Sequence, residues 1–146
     1  CRSNLPNKER KRNEKAFMRG ERRIMVATSA FGMGINKSDV RLIIHYNLPL
    51  SLIDYYQQAG RAGRDGGKAR CILLYNKSDY DLNRYVIEQN QEFRALDYSQ
   101  KALDEMKEYA DSDNGCMVQR MLAALGEQLD KPCGRCTCCQ KARKHS

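Results

Sequence analysis

Three short apolar runs, set between stretches with helical spacing, restrict this chain more than any other feature. RRIMVATSAF holds a β-branched run at residues 24–28, VRLIIHYNLP a second at 40–48 that Pro49 stops, and RCILLYN a third at 70–76. Runs of this length and composition predict buried strands. Between the second and third lies SLIDYYQQAG, where Ser51 is a good helix N-cap and Asp54 favours the start. Leu52, Tyr55, Tyr56 and Ala59 would share one face of that helix. Upstream, Pro6 opens NKERKRNEKAFMRG, which Gly20 ends. Its apolar face (Leu5, Ala16, Phe17) is thin, so one side should meet water. Ser78 is placed to cap a further helix, SDYDLNRYVIEQN. The alternation predicts an α/β fold with a parallel sheet and right-handed crossovers.

After about Asn90 no further strand is evident. FRALDYSQKALDEMKEYAD shows helical spacing at Leu96, Leu103 and Met106, and a second helix runs from Cys116 to Leu125 before Gly126. The expected division is an α/β part over residues 1–92 and a small helical module over 93–146. There is no internal repeat. An incomplete sheet leaves an open edge, so pairing with a second copy stays open as an expectation.

Charge points to the partner. The chain of 146 residues carries a net charge of +8. Basic residues outnumber acidic ones over 1–23, and from Lys131 onward there are none of the acidic kind. Such ends meet polyanions, with nucleic acid the usual candidate. No stretch approaches the roughly 20 apolar residues of a membrane span, and the basic start has no apolar core behind it, so it is no signal peptide. The chain opens without methionine, the expectation being that it belongs to a longer protein.

Two glycine-containing segments follow strands, where open parallel sheets place their ligands. One is ATSAFGMGINK, with Gly32 and Gly34. The other, YYQQAGRAGRDGG, puts Arg61 and Arg64 where the backbone is most pliable. The guanidinium is always charged, and its planar fork matches phosphate oxygens. Residues 62–69, AGRDGGKA, imitate a nucleotide-cradling loop, but Ala69 stands where a hydroxyl should bind magnesium, and a strand follows instead of a helix. That loop is therefore absent, and no acidic pair at a strand end offers to hold magnesium.

ATSAFGMGINK followed by YYQQAGRAGRDG resembles motifs V and VI of the RecQ family of superfamily 2 DNA helicases, and RLIIHYNLP and CGRCTCC fit in order. The resemblance covers nearly the whole chain. It implies the later part of a second RecA-like lobe, a partial parallel sheet with flanking helices, followed by a helical zinc-binding module. It also implies 3′ to 5′ DNA unwinding, with ATP and Mg2+ held between this lobe and a first RecA-like lobe in cis. DNA, as single strands and duplex junctions, would be the partner, and the location the bacterial nucleoid or the nucleus, with no membrane involved. Gln57, Arg61 and Arg64 match the family's Q-x-x-G-R-x-x-R. The two arginines would face the triphosphate as catalytic groups; which one touches the γ-phosphate is open. Thr28, Ser29, Gly32, Gly34 and Asn36 match motif V. Of these Gly34 and Asn36, with Gln57, would serve the nucleotide, and Thr28 and Ser29, with the neighbouring Lys37, the DNA. Gln58 stands where glutamate is frequent, and Arg2 in CRSNL replaces a histidine of the usual YHAGL. Without the first lobe, the chain alone is expected to be inactive as an ATPase.

Seven cysteines are an odd count, and four crowd into CGRCTCC. Without a secretory signal, reduced thiols and a metal are the better reading. Overlapping C-x-x-C steps at Cys133, Cys136 and Cys139 suit a tetrahedral zinc. Cys116 fits as the fourth ligand and matches the family's first zinc cysteine. Cys138 rivals Cys139, and His145 rivals the fourth place. Four protein ligands would make the site structural. Cys71, inside a strand, reads as an inert buried thiol, and His45 as a core histidine. Tyr55 and Tyr56 read as core. Lys8, Arg10, Lys11, Arg12 and Lys15 read as a solvated face, whereas Lys141, Arg143 and Lys144 could touch duplex DNA. The rival functions are a zinc-stabilised DNA-binding or adaptor module without ATP-linked activity and, more weakly, an RNA helicase lobe.

Overall fold

The computed structural model describes residues 5–28, 36–90 and 93–144. Its elements follow the order α1 (Asn7–Met18), β1 (Leu42–His45), α2 (Leu52–Ala59), β2 (Arg70–Leu73), α3 (Lys77–Asn90), α4 (Phe93–Asp111), α5 (Met117–Ala124) and α6 (Thr137–Lys144). This is the expected α/β architecture: a parallel sheet with flanking helices, then a helical module.

Local chemistry sets most boundaries. Pro6 precedes α1 with φ −53°, and the helix closes on Gly20, whose N–H bonds Phe17 O while that of Glu21 bonds Ala16 O. The same paired bonds close α5, from Gly126 to Ala123 and from Glu127 to Leu122. Ser51 caps α2, its hydroxyl accepting from Asp54 N at 3.1 Å. At α3 the cap is Asn76 rather than Ser78. The Asn76 side chain accepts from Ser78 N, and the Asp79 carboxylate accepts in return from Asn76 N. This reciprocal pair satisfies two amides, which a serine two positions later could not do. The helix α6 was not expected; it begins inside the cysteine cluster.

The strands β1 and β2 pair in parallel, Leu42 opposite Arg70 and His45 opposite Leu73. Both are shorter than the apolar runs that contain them. The predicted strand at 24–28 is not formed: Ile24 is 82% and Val26 84% exposed. An apolar run becomes a strand when a ladder and a covered face reward the extended backbone, and here Ile24 and Val26 stand in solvent with only Met25 partly covered. On the sheet itself, alternation puts His45 and Leu73 toward the helices and Leu42 and Ile44 toward the open side, each about half exposed. Cys71 lies on β2 as expected but is exposed rather than buried, its Sγ donating to Ala59 O at 3.5 Å.

The core forms where α2 meets the helices behind it. Leu48, Leu52, Tyr55, Ile87, Leu103, Met106 and Tyr109 make one buried cluster, with Leu73 and Leu96 packed against it. Leu103 and Met106, both on α4, have no exposed surface. One core therefore serves residues from both halves of the chain. Of the two tyrosines assigned to it, Tyr56 points outward, 42% exposed. Position 56 follows position 55 by about 100° around the helix, and the buried stripe of an eight-residue helix is too narrow to hold both.

The turn after α2 is fastened to the start of β1. Gly63 N donates to Val40 O at 2.9 Å and Asp65 N to Ser38 O at 3.3 Å. The Arg41 fork grips both oxygens of Asp65 at 2.8 and 2.5 Å, and Gly67 N adds a bond to the same carboxylate. Gly63 has φ +66°, and a Cβ there would stand 2.6 Å from Gly67 O. A Cβ on Gly67 would stand 2.6 Å from Arg41 Nη1. Gly63 thus lets the turn close on Gly67, and Gly67 lets the Arg41 guanidinium approach the backbone. The Arg41 guanidinium, with the Gly67 amide behind it, holds the Asp65 carboxyl well below the usual carboxylate range.

Two outcomes follow from this packing. Leu103→Ala should cost about 2–5 kcal/mol, read as a fall in the urea midpoint at unchanged slope; a loss under about 1 kcal/mol would remove Leu103 from the centre of the core. For Asp65, the folded pKa is depressed, so its contribution is present above the unfolded value of 3.8 and is lost as pH falls through the folded value. The Asp65→Asn variant should therefore melt earlier than the parent at pH 7, and the gap should close below pH 3.8. A gap that stays constant down to pH 2 would sink the pair's role.

Candidate functional site

Two groups of side chains stand out, one at the C-terminal end of α2 and one at the start of α6. At the first, Gln57 is exposed on α2 and the chain turns at Gly60 into the fastened loop. Arg61 is half-buried, and its Nε is buried without an acceptor among the described residues. No carboxylate among those residues pairs with it. Arg64 is exposed and differently held. Its Nε donates to Gly60 O at 3.4 Å and its Nη1 to Asn36 Oδ1 at 3.2 Å. The chain thus brings Asn36 of the first glycine segment against Arg64 of the second, 28 residues apart.

Thr28, near the start of that first segment, is exposed. Ser29, Gly32 and Gly34 lie outside the described residues, as do Arg2 and His145. Lys37 is not an open cation. Its side chain is 16% exposed, its Nζ pairs with Asp39 at 2.9 Å, and it stands 5.7 Å over the Phe17 ring. The Lys37 ammonium in turn holds Asp39 below the ordinary carboxylate range. His45 is buried as a core histidine, edge-on to Tyr55 at 4.9 Å. Burial lowers its pKa, opposed by nearby Gln58 and the Ile72 backbone. Neither ring nitrogen has a well-formed hydrogen bond, so the ring acts as packing surface. Arg41 and Asp65, which set the geometry of the loop, carry no sequence signal: they are 24 residues apart, and only the D-G-G turn hints at a carboxylate held by backbone amides.

The second group is the cysteine knot. Cys116 is the N-cap residue of α5, and Cys133, Cys136 and Cys139 come from the turn into α6 and its first turn. Their four sulfurs lie within 4.8 Å of one another. A tetrahedral zinc with bonds near 2.3 Å needs sulfurs roughly 3.8 Å apart, so the donor set fits. The backbone is arranged for thiolates. Cys133 N donates to Cys116 Sγ at 3.2 Å, Cys136 N to Cys133 Sγ at 3.3 Å, and Cys139 N to Cys136 Sγ at 3.5 Å. For Cys116, burial works against ionisation, but the amides of Cys133 and Gln119 and the neighbouring thiols outweigh it and bring the pKa to about 6. Cys139, beside Cys136, is pushed up to about 12, as expected where packed thiols resist sharing negative charge. Cys138 turns away, its Sγ toward Ser112 O at 3.9 Å. Arg143 lies against the knot, since a Cβ on Gly134 would stand 2.8 Å from its Nη2.

Among the described residues no helix is long and apolar enough to cross a membrane. Comparison with known proteins matches residues 1–66 to the helicase conserved C-terminal domain and residues 77–140 to the RecQ zinc-binding domain. The ATP-dependent DNA helicase RecQ of Bacillus subtilis is 38% identical over 95% of this chain and 23% of its own length. The ATP-dependent DNA helicase hus2/rqh1 of Schizosaccharomyces pombe is 36% identical over 94% of this chain and 11% of its own. The bifunctional 3′-5′ exonuclease/ATP-dependent helicase WRN of mouse is 35% identical over 88% and 10%. The chain spans less than a quarter of the length of these relatives. With a helicase domain matched before a RecQ zinc-binding domain, in the order in which the arginine loop and the cysteine knot occur, the chain belongs to the RecQ family of helicases.

Proposed function

We propose that this chain works within an ATP-dependent 3′ to 5′ DNA helicase, supplying Arg61 and Arg64 to ATP and Mg2+ held by a first RecA-like lobe in cis. The observation that carries this reading is the contrast between the two arginines and their setting. Arg61 has no carboxylate partner among the described residues, while the loop that bears it is pinned by Arg41 and Asp65. A fixed guanidinium with unspent hydrogen-bonding capacity suits a phosphoryl group whose charge grows in the transition state. Arg64 reports to the other segment through Asn36. Gln57, Gly34 and Asn36 would then attend the nucleotide. Thr28, Ser29 and Lys37 would attend single-stranded DNA and duplex junctions, Lys37 by exchanging Asp39 for a phosphate. The division of labour falls near residue 92, with zinc held by Cys116, Cys133, Cys136 and Cys139 as a structural ion. When bound, the zinc cross-links the start of α5 to the start of α6; the chemistry is left to the arginine loop.

In the full-length protein, Arg61→Ala or Arg64→Ala should lower the ATPase kcat by about 10³-fold or more, with ATP binding largely kept. The isolated chain should show no ATP turnover above a contamination control. Unchanged ATPase in both variants would instead favour a zinc-stabilised DNA-binding or adaptor module.

Metal analysis should find one zinc per chain, about one equivalent being the whole complement of a closed four-thiolate site. Cys139→Ser should lose it and Cys138→Ser should keep it. The converse result would exchange their roles, and zinc retained in both would dissolve the proposed ligand set.

A further inference from the structure

We infer that Tyr109 is a positioning residue for the arginine loop: its ring is the link through which the cysteine knot holds α2, and with it Arg61 and Arg64, in register. This rests on the proposed role of the arginines. The starting point is that α2 cannot hold itself. It has eight residues, and helices under about 12 residues are marginal on their own. Only two of its side chains are buried, Leu52 and Tyr55.

Tyr55 is clasped from two sides. On one, the His45 ring stands edge-on at 4.9 Å and 63°. On the other, Tyr109 stands at 5.7 Å and 50°. Aromatic rings in such tilted arrangements attract through their edges and faces, so their mutual angle is fixed as well as their distance. His45 is rooted in β1, whose position is set by the ladder to β2. Tyr109 is rooted in the last turns of α4, 7% exposed. The three rings therefore form a file running from the sheet, through α2, to α4.

The file ends at the knot. Two residues beyond Tyr109 α4 stops at Asp111, and the next carbonyl, Ser112 O, receives the Cys138 thiol. Met117 and Met121 of α5, the helix that Cys116 caps, pack against the same core that holds Tyr109. Arg61 lies six residues past Tyr55, just beyond the C-cap of α2. The downstream end of the loop is pinned to β1 by Arg41 and Asp65, so a tilt of α2 is taken up between Gly60 and Gly63, where Arg61 sits. Removing the Tyr109 ring should displace Arg61 without touching nucleotide, DNA or metal.

The test uses the full-length protein with Tyr109→Leu, Tyr109→Phe and Tyr55→Leu, and Arg61→Ala as reference, reading kcat, KM for ATP and zinc content. The ring variant Tyr109→Phe should stay within about twofold of the parent, whereas Tyr109→Leu should lose about 10²-fold in kcat, the penalty of roughly 1 Å of misplacement. Zinc should remain at one per chain and KM should change little. Tyr55→Leu, which leaves α4 and the knot intact, should give the same loss, and the double variant no more than either alone. It also decides the matter should Tyr109→Leu fail to fold. Parental kcat in Tyr55→Leu overturns the inference, as does parental kcat or lost zinc in a folded Tyr109→Leu. If Arg61→Ala itself keeps full ATPase, the proposed function fails; if Arg61→Ala is inactive while the ring variants are active, only this inference fails.

Discussion

Two four-residue strands and an eight-residue helix have too little surface to bury one another, and the fold depends on α4 to supply what they lack. Leu103 and Met106 are sealed against Leu48, Leu52 and Tyr55, so the wall behind the arginine-bearing helix belongs to the part of the chain that also leads into the cysteine knot. Burial of this kind scales with apolar area removed from water, at about 25 cal/mol per Å². Here most of that area is contributed from beyond the sheet. A boundary drawn by secondary-structure pattern near residue 92 separates strand-bearing from strand-free sequence, yet the core runs across it.

The two faces of the sheet show the same dependence from the other direction. The face carrying His45 and Leu73 meets helices at that end of the strands, while on the other face Leu42 and Ile44 stay about half exposed. Ile24 and Val26 are more open still, and their run, despite its strand composition, does not become a strand. Propensity for strand is mostly propensity for a half-buried, laddered surface, and without one the residues are merely extended or irregular.

What could be read from the sequence was what depends on neighbours in the chain. Ser51, Gly20 and Gly126 act on backbone groups within a turn of themselves, and each terminates or starts a helix where expected. The spacing of Cys133, Cys136 and Cys139 is likewise local. The misses have a different character. Arg41 and Asp65 meet only because the loop folds back on β1, and opposite charges 24 residues apart are commonplace in a chain so rich in both. The choice of Cys139 over Cys138 is not among the misses: Cys139 lies in the four-sulfur cluster, and Cys138 is turned away from it. Tyr56 was misplaced because the apolar face of α2 is one residue narrower than its composition suggests. Lys37 keeps its expected place beside the first glycine segment, but its contacts to Asp39 and Phe17 were not foreseen.

Arg61 and Arg64 also differ for a reason that bears on their use. An exposed guanidinium bonded to Asn36 and to the Gly60 carbonyl loses little to desolvation and can trade those partners for others at small cost. Arg61 is in the opposite position: its Nε is out of water and has no acceptor among the described residues. Leaving a buried donor unsatisfied costs about 1–3 kcal/mol, and a fold rarely retains such a group without a purpose. An anion arriving at Arg61 would recover that loss on binding, whereas at Arg64 it would only replace one set of bonds by another. Under the proposed function, a phosphate would therefore recover a desolvation loss at Arg61 and exchange existing partners at Arg64.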